Sequence, residues 1–199
     1  CRINEAELRR LLHTASRLSD DPAIALHAGF AAEPASLGAL GHVLQNAATI
    51  GEACILLLHY WRLVHDEAVF QIEFRSDAAI FHIRRDEHAD PEANRPVIEY
   101  LLAQLLHILA TLGADANPVR LLRGIRFRHR RPEPQLLAQY QQRFGIQDFA
   151  FGSHENTLIF GPELLRQPVA LADPALLDEL RQQAEAELRA QAIEPELVS

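Results

Sequence analysis

Ala68-Val-Phe-Gln-Ile-Glu-Phe-Arg-Ser-Asp-Ala-Ala-Ile-Phe-His-Ile-Arg84 is where this chain changes period. Just upstream, Ile50, Ala53, Cys54, Leu57, Trp61 and Val64 recur at helical spacing. Inside the stretch, Phe70, Ile72 and Phe74 alternate with Val69, Gln71 and Glu73, and Ala79, Phe81 and Ile83 alternate with Ile80, His82 and Arg84. Arg75-Ser76-Asp77 separates the two runs, so the pattern predicts an antiparallel hairpin. A chain that moves from helical to alternating periodicity and back is an α+β protein with a largely antiparallel sheet.

Working outward towards the N-terminus, Asn4 with Glu7 predicts a capped helix carrying Leu8, Leu11, Leu12, Ala15 and Leu18 on one face. Asp21 and Pro22 suit the start of a second helix, which Gly29 is expected to end. Two more follow, over 37–45 and 50–65, the latter capped by Thr49 with Glu52 three residues on. After the hairpin, Asp86 to Arg95 reads as a polar loop. A long helix over 96–112 then carries Ile98, Leu101, Leu102, Leu105, Leu109 and Leu112, with Gly113 as its stop.

Past the turn at Asn117-Pro118, Leu121 to His129 alternates again, and Pro132 and Pro134 introduce a helix ended by Gly145. Strands over 148–151 and 156–160 are expected to flank a hairpin turn at Gly152-Ser-His-Glu155. Asp173-Pro174 caps a last helix over 173–190, expected to serve as an interface or relay, and Glu194-Pro195-Glu196 reads as a tail. The order is therefore α-α-α-α-β-β-α-β-α-β-β-α, with N-terminal helices packed on the sheet.

The bulk composition narrows the class. At 199 residues, 48% of them hydrophobic, the chain can build a sizeable core within one domain over 1–199. No apolar run reaches the roughly 18 residues that span a bilayer, so no membrane partner is expected. Cys1 and Cys54 are far apart and form no metal or redox motif, which suits a reducing cytoplasm. All 19 basic residues are Arg, a coding-bias signature without mechanistic weight. The net charge of −8 argues against direct DNA binding, because duplex DNA needs a basic face.

Motifs for catalysis are missing. None of the ten histidines sits in an HExxH or zinc-finger spacing, and there is neither a GxSxG elbow nor a GxGxxG loop. With no Lys, a P-loop is excluded. The expectation is no enzyme, no cofactor and no metal. A metal-assisted enzyme would need three or four of His42, His59, His82, His107 and His129 to converge.

The densest unusual run is Arg123-Gly-Ile-Arg-Phe-Arg-His-Arg-Arg131, five arginines in nine residues. On a strand, Arg126, Arg128 and Arg130 share one face and Ile125, Phe127 and His129 the other. Arg126 and Arg128 read either as an anion site or as a solvated edge that discourages edge-to-edge pairing. His129 among apolar neighbours, and His82 beside Ile80, are either hydrogen-bonded core residues or the lining of a cavity. Tyr60 and Trp61 on the nearby helix complete the candidate ligand-binding set. The expected pocket lies between the sheet and the helices near 50–65 and 96–112.

A series of segments also resembles a known family. They are Asp21-Pro-Ala-Ile-Ala-Leu-His-Ala-Gly29, Leu37-Gly-Ala-Leu-Gly41, Thr49-Ile-Gly-Glu-Ala53 and Tyr60-Trp-Arg-Leu63. Ile125-Arg-Phe-Arg-His129 with Pro132, Tyr140, Phe144-Gly145, Asn156-Thr-Leu-Ile-Phe160 and Leu165-Arg-Gln-Pro168 continue it in the same order. Together they resemble the N-terminal effector-sensing domain of AraC/XylS-type transcription regulators, in the arabinose-binding-like, ornithine-utilisation-regulator-like branch. The resemblance implies a bacterial, cytoplasmic regulatory module that binds a small-molecule effector and forms a homodimer. It further implies that promoter DNA is met only through a C-terminal helix-turn-helix domain absent from these 199 residues. An effector-free oligomerisation module of a regulator is the alternative.

Overall fold

The computed structural model describes residues 5–64, 69–84, 90–114 and 118–193. Asn4, His65, Ala68, residues 85–89 of the expected polar loop, Asn117 and the tail at 194–196 lie outside the described residues. The elements follow the expected order: α1 Glu5–Leu18, α2 Ile24–Phe30, α3 Ala39–Asn46, α4 Ile50–Tyr60, β1 Val69–Phe74, β2 Ala79–Arg84, α5 Pro91–Leu112, β3 Leu122–Arg126, α6 Pro134–Phe144, β4 Phe149–Ala150, β5 Asn156–Phe160 and α7 Pro174–Ile193.

The strands form one sheet in the order β1-β2-β5-β3-β4. β1 pairs antiparallel with β2 in the register the alternation predicts, Phe74 opposite Ala79 and Phe70 opposite Ile83. β5 enters between β2 and β3, antiparallel to both. The short β4 runs parallel to β3, so the sheet is mixed. Residues 152–155 are therefore not a hairpin turn between paired strands: they carry the chain from β4 across β3 to β5. Sequence proximity favoured the hairpin, but the ladder partners of β5 come from more distant parts of the chain.

α5 is the central helix, with 13 of its 22 residues buried. It starts at Pro91, capped by the Asp90 carboxylate, which accepts from the Glu92 N–H at 3.1 Å. The start expected at residue 96 is thus corrected: Pro96 lies one turn inside the helix, a rare position that sequence rules read as a beginning. α4 begins as expected, the Thr49 hydroxyl accepting from the Glu52 N–H at 3.2 Å. The Glu52 carboxylate returns to the Ala48 N–H at 2.7 Å, one residue before the usual capping-box donor.

Gly29 does not end α2, which continues to Phe30. Its requirement is proximity: a Cβ there would sit 2.4 Å from the Tyr100 carbonyl oxygen and 2.7 Å from the Ala103 Cβ. α2 therefore lies almost directly on the α5 backbone. On α1, Leu8 and Leu12 are buried while Leu11 and Leu18 are exposed, so its packed stripe is narrower than the sequence pattern.

Helices α4 and α5 cover one face of the sheet, where Phe70, Phe81, Leu158, Phe160, Ile125 and Phe127 are buried. At the β3–β4 end of this core, α5 meets α6 through charge. Glu99 is buried and contacts both the Tyr140 hydroxyl and, at 2.6 Å, the Arg95 Nε. Burial pushes the Glu99 carboxyl above the usual carboxylate range, opposed by Arg95 and the Tyr140 hydroxyl. Arg95 is held firmly protonated: burial works against its charge, but Glu99 and Tyr140 outweigh it. Nearby, His129 is 1% exposed, and burial lowers its pKa to about 4.

Two outcomes follow for stability. Gly29→Ala should destabilise the fold by about 1–3 kcal/mol, because neither the Tyr100 backbone nor α2 can yield cheaply; urea denaturation checks this. Between pH 6.5 and 4 the unfolded chain protonates His129 while the native state does not, so its contribution is present above that window and lost as pH falls. The loss is on the order of 3 kcal/mol. Denaturation of the parent and His129→Gln at pH 7, 6 and 5 isolates this contribution from the opposing one of Glu99. Parallel pH slopes would show that His129 is not buried neutral.

Candidate functional site

The space expected to hold a pocket, between the sheet and helices α4 and α5, is filled by core side chains. The opposite sheet face differs. By alternation it presents Gln71 and Glu73 of β1, Ile80, His82 and Arg84 of β2, Thr157 and Ile159 of β5, and Arg126 of β3. Here a depression of about 340 Å³ is lined by Ile80, Thr157 and Ile159 beneath Glu73, Arg75, His82, Arg126, Ser153, His154 and Glu155. An adjoining one of about 580 Å³ shares Glu73, His82 and Glu155 and reaches over the β1 edge, past Gln71 and Ile72, to Leu58 of α4 on the helical side. Together they form a trough with an apolar floor and charged walls.

The walls are made of ion pairs. Arg75 Nε donates to Glu73 Oε1 at 2.7 Å, and this hydrogen bond holds the Glu73 carboxyl below its ordinary pKa. His82 Nδ1 is 2.8 Å from Glu155 Oε2, and Arg84 donates to the other Glu155 oxygen. Against the effect of burial, Arg84 and His82 keep Glu155 ionised below the usual carboxylate value. Although His82 Nδ1 lies at ion-pair distance, it is buried and has no aligned hydrogen bond. Across the trough, Arg126 grips Asp148 with contacts of 3.0 and 3.4 Å. A polar ligand can therefore exchange partners with these groups rather than uncover bare charge.

The six sequence-predicted residues are divided among several places. His82 and Arg126 meet in the trough. Arg128 and His129 line a separate void of about 10 Å³ with Pro91, Asn94, Ile98 and Asn156, room for about one water. His129 Nδ1 is 2.8 Å from the Arg130 carbonyl oxygen, and its buried Nε2 has no hydrogen-bond partner. That Arg128 and His129 share this void marks the end of strand alternation, because β3 stops at Arg126. Trp61 is a core residue stacked on Phe70 at 5.3 Å. Tyr60 is buried under α7, its hydroxyl donating to Glu185 at 3.1 Å, beside a groove of about 520 Å³ lined also by Asp178, Arg181, Gln182 and Arg189.

Sequence reasoning missed Glu73, Arg75, Ser153, His154, Glu155 and Thr157. The hairpin register already placed Glu73 beside His82, but only the insertion of β5 next to β2 brings Glu155 and Thr157 alongside. Among the described residues, no group of three or more His, Cys, Asp or Glu is arranged to hold a metal ion. Cys54 is fully buried, and burial pushes its thiol well above the ordinary value, which leaves it chemically quiet.

Comparison with known proteins agrees with this architecture. The chain is 26% identical over 186 residues to the ornithine utilization regulator of Pseudomonas aeruginosa, covering 93% of this chain and 52% of that protein. It thus spans about half the length of that curated relative. The crystal structure of the transcriptional regulator CdpR from Pseudomonas aeruginosa superposes with a TM-score of 0.69 at 18% identity, covering 93% of this chain and 59% of that one, and so shares its fold. The family model described as the arabinose-binding domain of AraC transcription regulators, N-terminal, matches residues 1–169. With most of its length under that model, the chain belongs to the family of N-terminal arabinose-binding domains of AraC transcription regulators.

Proposed function

We propose that this chain is the effector-sensing part of a cytoplasmic AraC-type regulator, and that the trough on the open sheet face takes the effector. The carrying observation is the pairing of carboxylates with cations over an apolar floor: Glu73 and Glu155 on one side, Arg126 on the other, above Ile80 and Ile159. A small zwitterion of the amino-acid class matches it, its carboxylate turned to Arg126 and its ammonium to Glu73 and Glu155. The similarity to a regulator named for ornithine utilization supports the same chemical class. Nothing in the trough forms an activated nucleophile, and the relatives are regulators, so the reading is one of binding without turnover.

Such a domain acts by binding one of two states more tightly than the other. The path to an attached DNA-binding domain runs through α7, the last described helix. Leu177 and Ala184 bury it against the body of the domain, and Glu185 ties it to His59 Nε2 at 2.8 Å and to Tyr60. Promoter DNA is contacted by that further domain, since these residues carry a net charge of −8. Among the described residues no helix is long and apolar enough to cross a membrane.

Thermal unfolding and calorimetry of the chain with a panel of amino acids, sugars and carboxylic acids test this. A cognate amino acid at about 100 times its Kd should stabilise the fold by about 2.7 kcal/mol, a rise of a few degrees in Tm. Arg126→Ala should weaken that binding by about 10–100-fold while leaving stability within about 1 kcal/mol, because the Asp148 pair it loses is partly exposed to solvent. Unchanged affinity in both Arg126→Ala and His82→Ala places the site elsewhere. A panel without any ligand returns the domain to the effector-free oligomerisation reading.

A further inference from the structure

β1 has one neighbour, β2, among the described strands, so its other side is an edge. The direction of each backbone group on it follows from the turn. The Arg75 N–H donates to the Ala78 carbonyl at 2.8 Å, closing the hairpin. In an antiparallel ladder every second residue exchanges both main-chain bonds with its partner, so Glu73, Gln71 and Val69 turn their N–H and C=O groups to β2. Phe70, Ile72 and Phe74 turn theirs outward. These are also the residues whose side chains are apolar. Val69 and Phe74 are about half exposed, and Ile55 of α4, the helix packed on β1, is 60% exposed. Natural edges are commonly blunted by charge or proline, yet none of the outward-facing residues carries either.

We propose that β1 pairs antiparallel with β1 of a second copy of this chain, about a two-fold axis through Ile72. In that register Ile72 faces Ile72, and Phe70 faces Phe74, with each of these pairs exchanging two main-chain hydrogen bonds. All outward-facing residues of the strand are satisfied at once, and on the helical face Phe70, Ile72 and Phe74 meet only one another. On the trough face Gln71 meets Glu73, so no like charges are opposed. An axis through Glu73 would set two carboxylates against each other, and an axis through Gln71 would use fewer of the outward groups. Self-complementarity of this kind is what an isologous interface requires. The seam also passes over the β1 edge where the second depression crosses it beside Gln71, Ile72 and Leu58, so the second copy covers it there. This inference stands independently of the effector assigned to the trough.

The test is the oligomeric state of the 199-residue chain by light scattering and native mass spectrometry. Ile72→Pro removes only an outward-facing N–H, leaving the bonds of Gln71 and Glu73 to β2, and should convert dimer to monomer with the circular dichroism retained. Ile72→Cys in a Cys1→Ser background puts two thiols at the axis with Cα atoms about 5.5 Å apart, inside disulfide range, and should cross-link on mild oxidation. Should the proline variant fail to fold, Phe74→Lys replaces it and is expected to weaken the dimer at least about tenfold. A parent chain that stays monomeric at about 100 μM overturns the proposal. So does a dimer that neither cross-links through residue 72 nor responds to these substitutions.

Discussion

A carboxylate removed from water has to find its compensation within a few ångströms, and Glu99 finds it by tying two helices together. Arg95, one turn earlier on α5, supplies the cation, and Tyr140 on α6 supplies the hydroxyl. Removing either partner would leave a buried charge only partly matched, so the relative placement of α5 and α6 is set by electrostatics as well as by shape. Around that junction the rings of Phe127, Phe144, Phe149 and Phe151 pack on Tyr140 and on one another. From there α5 extends beneath β2 and β5 and against α2. With its helical face sealed in this way, the sheet carries its charged side chains, Glu73, His82 and Arg126 among them, on the opposite face.

The local grammar of the chain was readable because its causes are local. Alternation from Val69 to Arg84 carries the hairpin register, and Thr49, Gly113 and Gly145 punctuate helices through their own backbone chemistry. Where a residue answers to a distant neighbour, the reading failed. Gly29 looks like a stop, but it is small because the Tyr100 carbonyl lies against it. Pro96 looks like a start, but it is carried inside a helix that burial stabilises along most of its length. Arg95 and Glu99 stand at ion-pair spacing in the sequence, and nothing in that spacing announces that the carboxylate is under α6.

The same division runs through the candidate site. His82, Glu73 and Arg84 were legible as companions on one face of a hairpin. Their meeting with Glu155 and Thr157 depends on β5 lying beside β2, a pairing with no local signature. The arginine-rich run shows how context settles chemistry. Arg126 is matched by Asp148, and Arg123 donates to the Asp77 carbonyl at 2.7 Å, each satisfied by a group far away in the chain. Composition alone presents these residues as an excess of positive charge, whereas the fold spends them on long-range contacts.

The position of β5 has a consequence for how this protein comes into being. Its central strand is the last of the five to be made, and both neighbours precede it in the chain. A nascent polypeptide that has not yet released residue 160 from the ribosome holds a β1–β2 ribbon and a β3–β4 pair with no strand in common. Until β5 joins them, the apolar faces of Phe81 and Ile125 have no Leu158 between them to complete the layer. Sheet closure is thus a late event of high contact order. A chain cut short of β5 loses the sheet as a whole rather than one strand from its margin.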